Sequence, residues 1–191
     1  MLICVFGASS TDLEKEYYDE AYALGRTIAE SGNGIVFGGG NQGLMGSVVR
    51  GVESGNGYSL GVAPRFFDKP DILYSSCSEF IFTDTMRERK QIMEDRADAF
   101  IALPGGIGTY EELLEVLTLK QLGQTDKPIV IYNFKGYFNE FLAMIDSAVE
   151  KGFMKKEALR IFTVSDNPKS AVEAILREKE NPLDVLHLKN I

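Results

Sequence analysis

The run Pro104-Gly105-Gly106-Ile107-Gly108-Thr109 has the composition of a phosphate site. Glycines let the backbone turn sharply and approach a ligand with no Cβ in the way. If a helix starts there, its unpaired first-turn N–H groups face the ligand and its dipole favours an anion. Thr109 adds a hydroxyl donor. The same run also reads as a tight turn with Thr109 capping the helix. Glu112 stands at capping-box spacing from Thr109, and acids belong in a first helical turn. Its place one turn beyond the glycine loop equally suits a carboxylate facing a ligand. A second group of charges breaks a local rule. The segment Thr85-Met86-Arg87-Glu88-Arg89-Lys90 opens a predicted helix, with capping-box spacing from Thr85 to Glu88. Three cations crowd its positive end, where the macrodipole disfavours each by roughly 0.3–1 kcal/mol. Such a cost without local return marks a site for an anionic substrate or a developing negative charge. The alternative is a solvated basic face paired with Glu88, Glu94 and Asp95.

The elements that must position these groups follow from short apolar runs alternating with amphipathic stretches. Strands are predicted at Leu2–Phe6, 35–37, 59–62, 80–82, 99–103, Ile129–Tyr132 and 162–164. Helices are predicted at 12–31, 44–53, 84–96, 109–122, 137–151 and 169–179, with no assignment after Pro182. This alternation builds right-handed βαβ units, hence a three-layer α/β fold with a parallel sheet of about seven strands flanked by helices. No linker or repeat interrupts it, so residues 1–191 read as one nucleotide-binding domain. Ligands in such folds sit beyond the carboxyl ends of the strands. Two more small-residue loops fall there, Gly7-Ala8-Ser9-Ser10 and Gly38-Gly39-Gly40-Asn41-Gln42-Gly43. Ser9, Gly39 and Gly40 therefore join Met86, Lys90, Gly105, Gly106, Gly108 and Thr109 as candidate contacts to substrate and phosphate. The apolar helix face Leu113, Leu114, Val116, Leu117, Leu119 and Leu122 predicts burial on several sides, in part by a second subunit. Phe66 and Phe67 read as core.

Composition removes several chemistries. The chain has 191 residues and a net charge of −8, which opposes wrapping a nucleic acid backbone. Two cysteines and the single His187 leave no metal motif and make a serine triad dependent on one terminal histidine. No apolar run reaches the roughly 20 residues of a membrane helix. The start MLICVFGASSTD lacks the basic region of a signal peptide, which predicts a cytoplasmic protein with reduced thiols. The first βα turn lacks G-x-G-x-x-G, and Phe37-Gly38 stands where a ribose-binding acid would close the second strand. There is no G-x-x-x-x-G-K-[ST] either. A mononucleotide therefore fits better than a dinucleotide or a triphosphate.

The segment Pro104-Gly105-Gly106-Ile107-Gly108-Thr109-Tyr110-Glu111-Glu112 resembles P-G-G-x-G-T-x-x-E, a signature of the Lonely Guy family. These are the cytokinin riboside 5′-monophosphate phosphoribohydrolases, often labelled "possible lysine decarboxylase". Met86–Lys90 is similar to the family's second signature, M-H-x-R-K, with Arg87 at the position of its histidine. VFGASS and GGGNQGLMG fit as well. The resemblance implies a Rossmann-like fold, a homodimer, no cofactor, and hydrolysis of AMP or N6-modified AMP to free base and ribose 5-phosphate. It places the catalytic pair on Arg89 and Glu112 and the phosphate loop on Gly105, Gly106, Gly108 and Thr109. Two other readings stay open. One is a nucleotide-binding or carrier module without chemistry. The other is a pyridoxal phosphate decarboxylase, which would need a Schiff-base lysine that no residue here evidently supplies.

Overall fold

A computed structural model describes residues 1–183. Seven strands form one sheet in the order β4-β3-β2-β1-β5-β6-β7, every pair parallel. They are β1 (Leu2–Phe6), β2 (Gly34–Phe37), β3 (Ser59–Pro64), β4 (Glu79–Thr83), β5 (Ala99–Ala102), β6 (Ile129–Tyr132) and β7 (Thr163–Ser165). Among the described residues there are six α-helices, α1 (Lys15–Glu30), α2 (Gly43–Ser54), α3 (Met86–Arg96), α4 (Ile107–Gln121), α5 (Asn139–Glu150) and α6 (Pro168–Glu180); the first five join strands, β3 runs to β4 without one, and α6 follows β7.

The central strands are apolar throughout because both of their faces are covered. Along β1 the side chains alternate between two cores. Ile3 and Val5 pack with α1, α2 and α6 through Leu24, Ile28, Val48, Val52 and Ile175. Cys4 and Phe6 pack with α3, α4 and α5 through Met93, Leu113, Val116 and Phe141. The three layers are thus helices, sheet, helices. The chain winds outward from β1 through β2 and β3 to β4, then returns to β5 on the other side. The crevice beside β1, where the winding reverses, is where such sheets place ligands.

Every predicted strand and helix is present, and the differences lie at their ends. The first helix starts at Lys15 rather than residue 12, because the Ser10 hydroxyl accepts the Asp12 N–H and the Tyr18 hydroxyl donates to the Ser10 carbonyl. Helix α4 starts at Ile107, two residues early, with Gly106 at the N-cap. Strand β3 runs on to Pro64, which pairs with Thr83. Phe66 and Phe67, expected in the core, are 54% and 38% exposed in a short turn after β3. Their strand has ended, so the period-2 alternation that would bury them no longer applies. Among the described residues no helix is long and apolar enough to cross a membrane. His187, read as an incidental surface residue, lies outside the described residues.

Candidate active site

The carboxyl ends of β1, β2, β3 and β5 surround a cavity of about 600 Å³. Its walls come from three glycine-bearing loops, from the segment between β3 and β4, and from the first turns of α3 and α4. Ser9, Gly40, Met86, Arg89, Gly106, Gly108, Thr109 and Glu112 all line it.

Helix α4 supplies one end. Its N-cap is Gly106, so Ile107, Gly108 and Thr109 occupy the first turn and their N–H groups have no partner within the helix. A Cβ built at Gly106 or Gly108 would meet nothing within 4 Å. Open space therefore lies beside an electropositive helix end, the arrangement that takes a phosphate. Gly105 has a different reason to be glycine. A Cβ there would overlap the Thr109 hydroxyl and stand 2.9 Å from the Ala8 nitrogen. The loop is held from behind, where the Tyr137 hydroxyl donates to the Gly105 carbonyl at 2.5 Å and the Ala8 N–H donates to the Pro104 carbonyl at 3.0 Å.

The start of α3 resolves the charges that broke the helix rule. Thr85 caps the helix, accepting the Glu88 N–H at 3.1 Å, while the Glu88 carboxylate accepts the Asp84 N–H at 2.9 Å. The helix end is thereby satisfied without its cations, which take three separate courses. Arg87 stays at the surface. Lys90 turns to α4 and pairs with Glu111 and with Glu115. Arg89 is buried, and its Nη1 donates to Glu112 Oε1 at 2.7 Å with the two side chains only 8% and 11% exposed. Its Nε donates to the Val62 carbonyl at 3.3 Å. None of the three pairs with Glu88, Glu94 or Asp95, so the solvated-face alternative fails.

The capping alternative for Glu112 fails too. Helix α4 begins five residues before it, no side chain caps that end, and its carboxylate is given to Arg89. Burial pushes the Glu112 pKa above the ordinary carboxylate value, and the Arg89 charge pulls against that rise. A buried ion pair such as this is a poor stability device, because desolvation offsets most of the attraction. Placed on a cavity wall beside an anion-receptive helix end, it is suited to chemistry instead.

Three predicted residues stand outside the lining. Lys90 faces the acids of α4, Gly105 lies under the loop, and Gly39, with φ +74°, packs beneath against Phe80. Nine lining residues are not among the candidate contacts: Gly7, Ala8, Gly38, Gln42, Met45, Phe67, Ile72, Leu73 and Ile107. Gly38 and Gln42 sit within the glycine run already flagged. Phe67, Ile72 and Leu73 come from a segment with no periodicity to read, held in place by backbone pairing. The Asn41 N–H donates to the Ile72 carbonyl, and the Tyr74 N–H to the Gly39 carbonyl. No lysine is among the lining residues. The fully buried Lys120 is locked to Glu178 of α6.

Comparison with known proteins agrees with this arrangement. The family described as "Possible lysine decarboxylase" matches residues 45–175, a span that includes Arg89 and Glu112. A probable cytokinin riboside 5′-monophosphate phosphoribohydrolase of Oryza sativa subsp. japonica is 41% identical over 173 residues, 91% of this chain and 71% of the relative. A cytokinin riboside 5′-monophosphate phosphoribohydrolase of Arabidopsis thaliana is 42% identical over 187 residues, 98% of this chain and 86% of the relative. Among solved structures, the molybdenum cofactor carrier protein of Chlamydomonas reinhardtii superposes with TM-score 0.72 at 22% identity, over 94% of this chain and 98% of that one. The molybdenum cofactor binding protein of Rippkaea orientalis gives 0.71 at 22%, over 92% and 95%. At that identity the structural likeness speaks for the fold alone, whereas the sequence likeness extends over nearly the whole chain. The chain belongs to the Lonely Guy family, the phosphoribohydrolases that also carry the description "Possible lysine decarboxylase".

Proposed function

We propose that this protein hydrolyses the N-glycosidic bond of a purine nucleoside 5′-monophosphate, AMP or an N6-modified AMP, releasing free base and ribose 5-phosphate. The observation that carries the reading is the buried Arg89–Glu112 pair facing a cavity whose one end is the open N-terminus of α4. The names of the relatives, which act on cytokinin riboside 5′-monophosphates, supply the substrate class.

The phosphate docks on the first-turn amides of α4 with the Thr109 hydroxyl, and Ser9 on the facing loop closes over it. Binding energy from this remote group holds the sugar against the catalytic pair. As the C1′–N9 bond breaks, positive charge grows on the sugar, as in glycoside hydrolysis generally. Glu112 stabilises that charge and orients the water that adds to C1′. Arg89 holds the carboxylate through Oε1, its positive charge stabilises the electron pair that leaves on the purine, and the proton given up by the added water passes through solvent to the purine, which leaves as the neutral free base. A lysine-based decarboxylation has no lysine in this cavity to work through.

The test is to incubate the protein with AMP and with isopentenyladenosine 5′-monophosphate and follow free base by chromatography. Glu112→Ala and Arg89→Ala should each lower release by about 10²–10⁴-fold. Binding without release in the wild type would return the protein to the carrier reading.

Within the same proposal the protein works as a homodimer in the cytoplasm, with a small nucleotide rather than nucleic acid or membrane as its partner. Leu114 and Leu122 lie on the outward face of α4 with over 40% of their surface exposed, an apolar strip suited to a second copy. Both cysteines are free thiols, which fits a reducing compartment. Light scattering on the eluting protein reads the oligomer directly, and a monomer at micromolar concentration would refute it.

A further inference from the structure

The cavity has two chemically different ends. The β5 loop and α4 form the phosphate end, and β1 separates them from β2 and from the segment after β3. About 10 Å, two strand spacings, lies between the β5 and β2 loops, comparable with the span of a mononucleotide. With phosphate at α4 and the sugar at Arg89 and Glu112, the base must lie toward β2 and β3. A second helix N-terminus, that of α2, also faces this end, but it is stoppered. The Leu44 N–H donates to the Ala8 carbonyl at 2.8 Å, and a Cβ at Gly43 would overlap that same oxygen. This end is therefore no rival phosphate site.

Its walls are apolar: Met45, Phe67, Ile72 and Leu73. Phe67 is an exposed aromatic with no part in the core, so its ring is available to a base. Arg89 is committed to Glu112 and to the Val62 carbonyl. Among the described lining residues of this end, Gln42 carries the one other side chain that can hydrogen-bond. It stands at the N-cap position of α2, and its side chain accepts no helix N–H there. Gln42 is an exposed residue of the cavity lining, and among the described residues its side chain has no hydrogen-bond partner, so its amide has a donor and an acceptor to give. That pair matches the edge of a 6-aminopurine, which offers an N–H donor beside a ring-nitrogen acceptor; glutamine reads adenine in this way elsewhere. A singly substituted amino group keeps one N–H to give.

We propose that Gln42 is the base-reading residue of this site, its amide oxygen accepting from the purine 6-amino group and its amide N–H donating to the adjacent ring nitrogen. This rests on the phosphoribohydrolase reading and deepens it. Substrates are then 6-aminopurine nucleotides, selected by hydrogen bonding rather than by the apolar walls alone.

The test crosses a substrate change with a side-chain change. AMP and purine riboside 5′-monophosphate, which lacks the 6-amino group, are compared on the wild type, Gln42→Leu and Gln42→Glu. Intrinsic differences between the two leaving groups cancel in the ratio of ratios. Loss of Gln42 should shrink the preference in kcat/KM for AMP by about 3-fold or more, the net worth of one hydrogen bond from an exposed side chain. Gln42→Glu still accepts from the amino group and should restore most of that preference. A preference unchanged within twofold in Gln42→Leu overturns the proposal while leaving base release intact. If the wild type releases no base from either nucleotide, the function reading is what fails. Calorimetric binding of the same two nucleotides to the same variants then decides the Gln42 contact.

Discussion

Replacing Gly38 with alanine should separate catalysis from stability. Residue 38 has an ordinary backbone, so alanine is allowed there. What it meets is Arg89, the arginine of the proposed catalytic pair. Its Cβ would overlap Arg89 Nη2 and stand 3.1 Å from Cζ, where carbon atoms need about 3.5–4 Å. The guanidinium must retreat by roughly 0.5 Å at Cζ and about 1 Å or more at Nη2 to restore that spacing. Its bond to Glu112 is 2.7 Å long, so a shift of that size either breaks the pair or drags the carboxylate with it. A misplacement of about 1 Å in a reacting constellation costs on the order of 10²-fold. The obstructed atom is the end of a flexible side chain, so the fold can yield at a cost within about 2 kcal/mol, or roughly 4–8 °C in melting temperature for a chain this size. Gly46→Ala is the contrast, because its Cβ overlaps the Asn41 backbone carbonyl, which cannot swing aside. The assay is kcat/KM for AMP beside a thermal melt, with Arg89→Ala combined with Gly38→Ala as the third variant. If Gly38 acts through Arg89, the double variant is no worse than Arg89→Ala alone. Wild-type activity within threefold in Gly38→Ala, or losses that add in the double variant, would refute the reasoning.

Other outcomes follow from the charges around the pair. Burial raises the Glu112 pKa and Arg89 lowers it, so the acid limb of kcat/KM should lie above 4.5. It should move further up in a slow Arg89→Gln variant; a downward move would remove Glu112 from the role of carboxylate. Glu94 is pushed up to about 7 by burial and by Glu115 and Asp95, against Lys90 and Lys127. Its folded pKa exceeds the unfolded one, so the native chain holds the extra proton between about pH 4.5 and 7 and loses stability as pH rises through that window. Glu94→Gln should recover roughly 1 kcal/mol at pH 8 relative to pH 5, after allowance for screening of a half-exposed group; parallel wild-type and variant curves in urea would refute it. Lys120→Met should cost about 2 kcal/mol by stranding Glu178 and leave base release as it was. Loss of activity at unchanged stability would instead revive a chemical role for that lysine.

The fold was legible because burial on both faces of a parallel sheet leaves uninterrupted apolar runs, and β1, β5 and β6 are such runs. Helix starts were less so. Thr109 looks like a cap in sequence, but a side-chain cap competes with whatever else the backbone can reach. The Ser10 hydroxyl serves Asp12, and α4 begins at Gly106 before Thr109 can cap anything. The candidate pair was legible from the opposite cause, a rule broken on α3. Local electrostatics could show that Arg87, Arg89 and Lys90 were misplaced, but not which of them turned inward. That depends on the 100° step between successive helix positions and on Gly38, across the sheet, leaving room for a guanidinium.

The cavity wall from the segment after β3 was not legible for a third reason. Phe67, Ile72 and Leu73 belong to no periodic element, and they are brought to the site by main-chain hydrogen bonds to residues 39–41, which any sequence could make. The two glycine runs therefore hold residues with two jobs that only the structure separates. Gly106 and Gly108 stand beside the space a phosphate needs, while Gly38 and Gly105 make room for the protein's own Arg89 and Thr109. Substitution distinguishes the two jobs. At Gly106 or Gly108 an added methyl intrudes on the ligand and should raise KM first. At Gly38 it displaces Arg89 and, on the proposed role of that residue, should lower kcat first. A motif that sequence presents as one feature is thus a binding surface at one end and a positioning device at the other.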